Sequence, residues 1–328
     1  MNCFTEYLQR AAIFAVLSCL ALAAYGQRAP AYPNKPVRIL VGSSSGGGVD
    51  LITRAVAQKL SEQWGHSVIV ENRTGGGGVL AVTLLAQATP DGYTLYGGGS
   101  QVVTLTPLKK VPFDTRKALA PIAQMTSSWY VFLVHPSVPA KSVKEFIALA
   151  RAKPNTLNYA SAGAGSSSHL GTALFAQKAG IEMTHVPYKG NGQALIDLIA
   201  GQVQMLFTST ISGLAHVKSG RARVIAVTSL KRMQVLPELP TVSESGVPGF
   251  EMHNMYGVYA PAGVPAAIQV ALSRNIGQIM NSPDLKEKVA ADGAEPAPPG
   301  SPAEFAARFA HEIDMWEQFI KTSGIKVN

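Results

Sequence analysis

The chain has 328 residues, 47% of them hydrophobic, with a formal net charge of +8 and a pI near 9.4. That length suggests about two domains, and the 28 basic residues are scattered with no run of five or more, which argues against a nucleic-acid patch. The diffuse positive charge suits small acidic ligands, and it equally suits a solvated basic surface.

Residues 1–26 read as a secretory signal peptide. Arg10 precedes an apolar run from Ala11 to Ala24 that is too short to span a membrane, and Ala24 and Gly26 stand at the −3 and −1 positions of a cleavage site before Gln27. The mature chain is therefore expected in the periplasm. Both cysteines, Cys3 and Cys19, fall inside the signal, so the mature chain has no thiol for a disulfide, a metal or a nucleophile. The seven histidines show neither H-x-x-x-H nor H-E-x-x-H spacing, and no metal site is expected. No cofactor is expected either: Gly42 to Gly48 lacks the lysine of a P-loop, and Gly75–Gly78 lacks the spacing of a dinucleotide fingerprint.

After a lead-in with Pro30, Pro33 and Pro36, Val37–Val41 is an apolar run of strand length. Ser43-Ser-Ser-Gly-Gly-Gly48 follows, and then Leu51, Ile52, Ala55, Val56, Leu60 and Trp64 recur at helical spacing. A strand, a loop of small residues and a helix N-terminus together form a site for a carboxylate or phosphate, because the loop N–H groups are reachable and the helix dipole points its positive end at them. Asp50, in the first turn, reads as a cap or dipole partner rather than a ligand contact. Further expected elements are a strand at 67–71, a helix at 79–88, a strand at 93–96 and a third glycine loop, Gly97-Gly-Gly-Ser100. This β-α-β-α-β order predicts a mostly parallel sheet.

Trp129–Val134 is the next strand, and Ser142-Val-Lys-Glu145 is a capping box that opens a helix. The strand–loop–helix construction then returns as Leu157–Ala160, Ser161-Ala-Gly-Ala-Gly-Ser-Ser-Ser168 and a helix from His169 that stops at Gly180. His169 reads as structural. The two Gly/Ser loops are expected to face each other across a cleft and hold one anion. Strands and helices alternate to Thr228, and a long connection carries Pro237, Pro240 and Pro248. Met255–Ala260 is a strand, and three helices follow, the last opened by the capping box Ser301-Pro-Ala-Glu304. These helices have no strands left to cover in the middle block, so they are expected to return to the first domain. The expected division is residues 27–130 plus 251–328 as a discontinuous first domain and 131–250 as the second, with a hinge where the chain crosses twice.

Taken in order, Tyr32-Pro-Asn-Lys-Pro-Val-Arg-Ile-Leu-Val41, Gly46-Gly-Gly-Val-Asp50 with Arg54, Val70-Glu-Asn-Arg-Thr-Gly75, Pro90-Asp-Gly-Tyr93 and His135-Pro-Ser-Val-Pro139 form an ordered set of motifs. Gly163-Ala-Gly-Ser-Ser-Ser-His169, Val186-Pro-Tyr-Lys-Gly190, Asp197-Leu-Ile-Ala-Gly-Gln202, the stretch Leu239 to Gly249, and Ala260-Pro-Ala-Gly-Val-Pro265 continue it. The set resembles the periplasmic solute-binding proteins of tripartite tricarboxylate transporters, the Bug-type receptors, over nearly all of the mature chain. The resemblance implies a two-domain type II periplasmic-binding-protein fold: two mostly parallel sheets flanked by helices, with a ligand cleft between the domains. It implies a small carboxylated ligand held by backbone amides of the two loops, membrane permease subunits as partners, and a monomer without enzymatic activity. The chain departs from the family in its first loop, which is serine-rich where Pro-Pro-Gly-Gly is usual, and at Thr208, where an acid is frequent. The missing acid favours a plain carboxylic acid over an amino acid.

The candidate ligand residues are Ser43, Ser44, Gly46 and Gly47 of the first loop and Ser161, Gly165, Ser166 and Ser167 of the second. Tyr188, at the end of a strand in the second domain, and Gln101, Trp129 and Thr208 complete the set. Two alternatives stay open. Gly42-Ser-Ser-Ser-Gly46 fits the G-x-S-x-G pattern of a serine hydrolase, although this strand comes too early for a nucleophile elbow. A receptor docking to a membrane sensor kinase would have the same sequence features as one serving a permease.

Overall fold

The computed structural model describes residues 32–323 other than 109, 292, 298 and 299. The signal segment with both cysteines lies outside the described residues. From Pro36 onward the chain forms one compact unit. Among the described residues no helix is long and apolar enough to cross a membrane.

β1 (Val37–Val41) buries four of its five side chains, as a strand with neighbours on both sides requires. Its parallel partners are β2 (Val68–Asn72) and β3 (Thr94–Gly98). Between β1 and β2 runs α1 (Gly48–Trp64), which ends at Gly65 in the left-handed conformation (φ 68°) with its N–H on the Ser61 carbonyl. Its buried face is Val49, Ile52, Val56 and Leu60, while Leu51 is exposed, one position off the expected stripe. A 3-10 turn at Gly76–Gly78 leads into α2 (Val79–Ala86). The expected third glycine loop is half strand. Gly97 and Gly98 pair with β9 (His253–Pro261), and a Cβ on Gly97 would lie 2.4 Å from the Thr53 hydroxyl on α1. Glycine here allows close packing of helix on sheet.

Two helical turns, α3 (Gln101–Thr104) and α4 (Thr115–Ala118), precede β4 (Leu119–Val134). This strand is 16 residues long, ten more than expected. Pro121, Gln124 and the polar run Thr126-Ser-Ser128 conceal its first part, where register shifts break the ladder with β9. The second half of the fold contains α5 (Val143–Ala152), β5 (Asn158–Ser161), α6 (Ser167–Ala179), β6 (Thr184–Pro187) and α7 (Asn191–Ile199). β7 (Met205–Ser209), α8 (Thr210–Lys218) and β8 (Arg223–Val227) complete it. After β9 come α9 (Ala266–Met280), α10 (Pro283–Ala291), the short strand β10 (Ala294–Pro296) and α11 (Pro302–Ser323).

The main strand path is β2-β1-β3-β9-β4-β7-β5-β6, with β8 and β10 also on β4. Leu119–Trp129 of β4 pairs with β9, whereas Tyr130–Val134 pairs with β7 and β8. One strand thus belongs to two sheets. The outer strands are parallel as expected, but the centre is antiparallel, because the chain leaves one half along β4 and returns along β9. Each half has its own core. Tyr96, Tyr259, Phe305 and Phe309 fill the first, so α11 does return to cover β9. Phe132, Phe146, Phe175, Phe207 and Phe250 pack mostly edge to face in the second.

Candidate ligand-binding site

The loop between β1 and α1 is shaped from behind by a buried carboxylate. Asp50 is 1% exposed and accepts hydrogen bonds from Gly46 N (3.0 Å), Ser45 Oγ (3.3 Å), Arg54 Nε (3.0 Å) and Asn72 Nδ2 (2.9 Å). Burial opposes its ionisation, yet the bonds from Arg54, Asn72 and Gly46 hold the carboxyl below its ordinary value. Asp50 therefore supports the loop from within, and Gly46 faces it with its amide already used.

The loop between β5 and α6 is held by two histidines. Ser166 caps α6 by accepting from His169 N (3.3 Å), which starts the helix two residues earlier than its apolar spacing suggests. His169 Nδ1 accepts from Gly165 N (3.0 Å), and His185 shares a 2.6 Å hydrogen bond with Ser161 Oγ. Ser161 Oγ in turn accepts from Gly163 N (3.1 Å). The two imidazoles stack at 4.0 Å. Burial, with Lys110 nearby, pushes His169 down to about 4, and burial, with His169 nearby, does the same to His185. Both are neutral at pH 7.

The two loops meet. Ser44 N donates to the Lys189 carbonyl (3.0 Å), Ser44 Oγ accepts from Gln193 N (3.1 Å), and Thr104 Oγ1 donates to the Gly165 carbonyl (3.0 Å). These contacts close a cavity of about 40 Å³, room for a carboxylate-sized group. The N-terminal residues of α1 and of α6 line it from opposite halves, so two helix dipoles converge on the same space. Among the described residues, two hydroxyls there are buried without a partner. Ser43 Oγ is one, and Ser167 Oγ, which lies beside the Tyr130 phenol without completing a hydrogen bond of good geometry, is the other. Among the described residues no charged side chain lines the cavity.

Of the sequence candidates, Ser43, Gly47, Gln101, Ser166 and Ser167 line this space. The others lie elsewhere, each for an identifiable reason. Ser44 and Gly46 are spent on the contacts given above, and Ser44 has no histidine partner among the described residues, as a nucleophile elbow would need. Ser161 and Gly165 shape their loop from inside. Tyr188 turns its hydroxyl to Asp197 (2.8 Å). Trp129 packs edge-on against His253, on the other side of the sheet from Tyr130. Thr208 is fully buried against Ser212 (2.7 Å).

Trp129 and Thr208 miss by one residue in the same way. Tyr130 and Ser209 are cross-strand partners, and side chains alternate along a strand, so Tyr130 and Ser209 face the cleft while Trp129 and Thr208 do not. A Cβ on Gly48 would lie 2.3 Å from Ser209 Oγ and 2.4 Å from the Tyr256 hydroxyl, which makes this glycine one of the places where the halves touch, at the N-terminus of α1. Asn191, Asn254 and Tyr256 also line the cavity and have no local sequence signal. Asn254 accepts from the Tyr130 hydroxyl (3.2 Å) and donates to Ser128 Oγ (3.2 Å). Burial raises the phenols of Tyr96, Tyr130 and Tyr256, so they remain donors at neutral pH.

A family model described as the tripartite tricarboxylate transporter family receptor matches residues 52–325. Among curated relatives, protein BugT of Bordetella pertussis is 32% identical over 302 residues, covering 91% of this chain and 92% of that protein. An R. palustris protein solved with adipate superposes with a TM-score of 0.85 at 34% identity, covering 90% of this chain and 99% of that one. MatC from Rhodopseudomonas palustris, solved with bound malate, has a TM-score of 0.84 at 28% identity, covering 88% and 100%.

Proposed function

The chain belongs to the receptors of the tripartite tricarboxylate transporter family, and on that premise we propose that its cavity captures one carboxylate of a small organic acid for delivery to membrane permease subunits. It is a binding protein rather than an enzyme, as are the members it resembles. One observation carries the ligand class: the N-termini of α1 and α6 converge on a cavity that has, among the described residues, two unpartnered serine hydroxyls and no charged side chain. Such a site recognises an anion through dipoles and N–H and O–H donors, each charge-assisted bond contributing about 1.5–3 kcal/mol. The relatives solved with adipate and malate support the same class.

Residues up to 130 with those from 251 form one domain in this reading, and residues 131–250 the other. The change of pairing partners within β4 supports a hinge there. A ligand touching both loops selects the closed form. The N-terminal segment directs export to the periplasm, where the monomer meets its transporter.

A thermal-shift screen of the purified mature chain against mono-, di- and tricarboxylates, amino acids and the matching neutral esters tests the proposal. The melting temperature should rise with an acid and not with its ester, and the rise should vanish in Ser167→Asp, which places a negative charge in the cavity. No rise with any acid, together with no acid released on denaturation and mass spectrometry, would sink it.

A further inference from the structure

The segment after α3 leaves the first half of the fold and lies on the second loop, and its last contact there is a lysine. Val102, Val103 and Leu105 are at most 1% exposed and anchor the segment in the first core. Beyond them the chain continues in turns: Leu108 N donates to the Thr104 carbonyl (3.1 Å) and Lys110 N to the Leu105 carbonyl (3.0 Å). Three of its side chains meet Gly165. Thr104 Oγ1 donates to the Gly165 carbonyl, and a Cβ on Gly165 would lie 2.8 Å from Leu108 Cδ1, 2.8 Å from Lys110 Cε and 3.4 Å from Lys110 Nζ. Gly165 has φ 80°, and the absence of a side chain lets the lysine stem lie over the loop. The ammonium therefore stands beside the residue that precedes Ser166, and Ser166 lines the anion cavity.

We propose that Lys110 is an affinity-determining residue for the anion, supplying from the first half of the fold the positive charge that the cavity's own lining lacks. This deepens the carboxylate reading and rests on it. Among the described residues no carboxylate side chain lines the chamber that Lys110 borders, so its charge is not neutralised there. Its field reaches the anion across a half-buried path, where screening by water is incomplete. Because the lysine belongs to the first half and Gly165 to the second, the charge is in place when the halves are together, and anion binding and closure reinforce each other. The same charge guards the loop. His169 faces Lys110, the His185 imidazole at 4.0 Å and the Tyr159 ring at 6.4 Å, and it accepts from Gly165 N. Tyr159 is a phenol raised by burial and His185 is neutral at pH 7, so after burial itself it is Lys110 that opposes a proton on His169.

The test is calorimetric titration of the ligand-stripped mature chain with hexanoate, malate and adipate, followed with the acid that binds most tightly. Lys110→Met keeps an unbranched stem and removes the charge, and it should weaken binding about fivefold at low salt. Lys110→Arg keeps the charge and should stay within about twofold of the parent. Raising the salt to about 1 M should cost the parent more affinity than Lys110→Met. The loss of affinity toward acid should begin at a higher pH in Lys110→Met, because His169 takes its proton earlier without the neighbouring cation. The control is Lys178→Met, which removes a positive charge from the last turn of α6, about 18 Å along the helix from Ser166, and should change neither affinity nor pH profile. A Lys110→Met chain that binds like the parent overturns the proposal and leaves the carboxylate reading intact. So does a loss that Arg does not restore and that leaves the salt and pH dependence unmoved, or an equal loss in Lys178→Met. Failure of all three acids to bind the parent chain overturns the carboxylate reading and this one with it.

Discussion

Behind the loop after β1 stands an ionised carboxylate with a guanidinium, and behind the loop after β5 stands a stacked pair of neutral imidazoles. Both supports do the same thing, accepting a loop N–H from the side away from the cleft and leaving the helix N-terminus free toward it. Their chemistry is opposite. Asp50 needs its negative charge to receive Arg54, Asn72 and Gly46, and its lowered pKa keeps that charge well into acid. His169 needs to be uncharged at Nδ1 to receive Gly165 N, and protonation turns this acceptor into a donor aimed at another donor. An anion site can thus be braced by a negative charge, if that charge is neutralised locally, or by no charge at all. The two solutions differ in what disrupts them.

The largest effect is expected from Asp50→Ala, which takes an acceptor away from four donors. A loss of about 2–4 kcal/mol in urea unfolding is expected, below the value for a fully buried pair because Arg54 is 44% exposed and can turn to water. A loss under about 0.5 kcal/mol would mean that the first loop does not depend on its carboxylate. The next effect is acid sensitivity of the second loop. An unfolded histidine titrates near 6.5 and these two titrate near 4, so the unfolded state takes up more protons as pH falls between those values. Stability contributed by the neutral pair is complete above about pH 6.5 and declines as the pH drops toward 4, by at most about 1.4 kcal/mol per pH unit for each proton. Asp50 remains ionised over this window. His185→Gln should flatten the slope, and a slope unchanged in that variant would separate the histidines from the effect. Carboxylate affinity should fall over the same range as Gly165 N loses its acceptor.

The smallest effects sharpen the comparison within each loop. Ser43→Ala and Ser167→Ala remove hydroxyls that have no partner, so unfolding should stay within about 0.5 kcal/mol of the parent. Affinity for the acid should weaken about tenfold for each. Ser161→Ala should do the reverse, lowering stability by about 1 kcal/mol, because its hydroxyl already holds Gly163 and His185. A destabilised Ser43→Ala would assign that hydroxyl to the fold rather than to the ligand.

The sequence by itself determined everything carried by local pattern. The strand–Gly/Ser–helix construction appears twice, and both copies line one cavity. The capping box at Ser301 and Glu304 forms as read. That at Ser142 forms with one change: Glu145 reaches Lys141 N rather than the cap residue. The polar stretch Leu119–Ser128 was illegible as a strand, because what makes it one is its pairing with β9, more than a hundred positions away, and not an apolar run. Tertiary structure alone decided which face of each strand meets the cleft, placing Tyr130 and Ser209 there instead of Trp129 and Thr208. It also spent Ser44 on the opposite half. The physical reason is the same in each case. Periodicity fixes which residues share a side, but only the register between distant strands and the closure of two halves fix what that side faces.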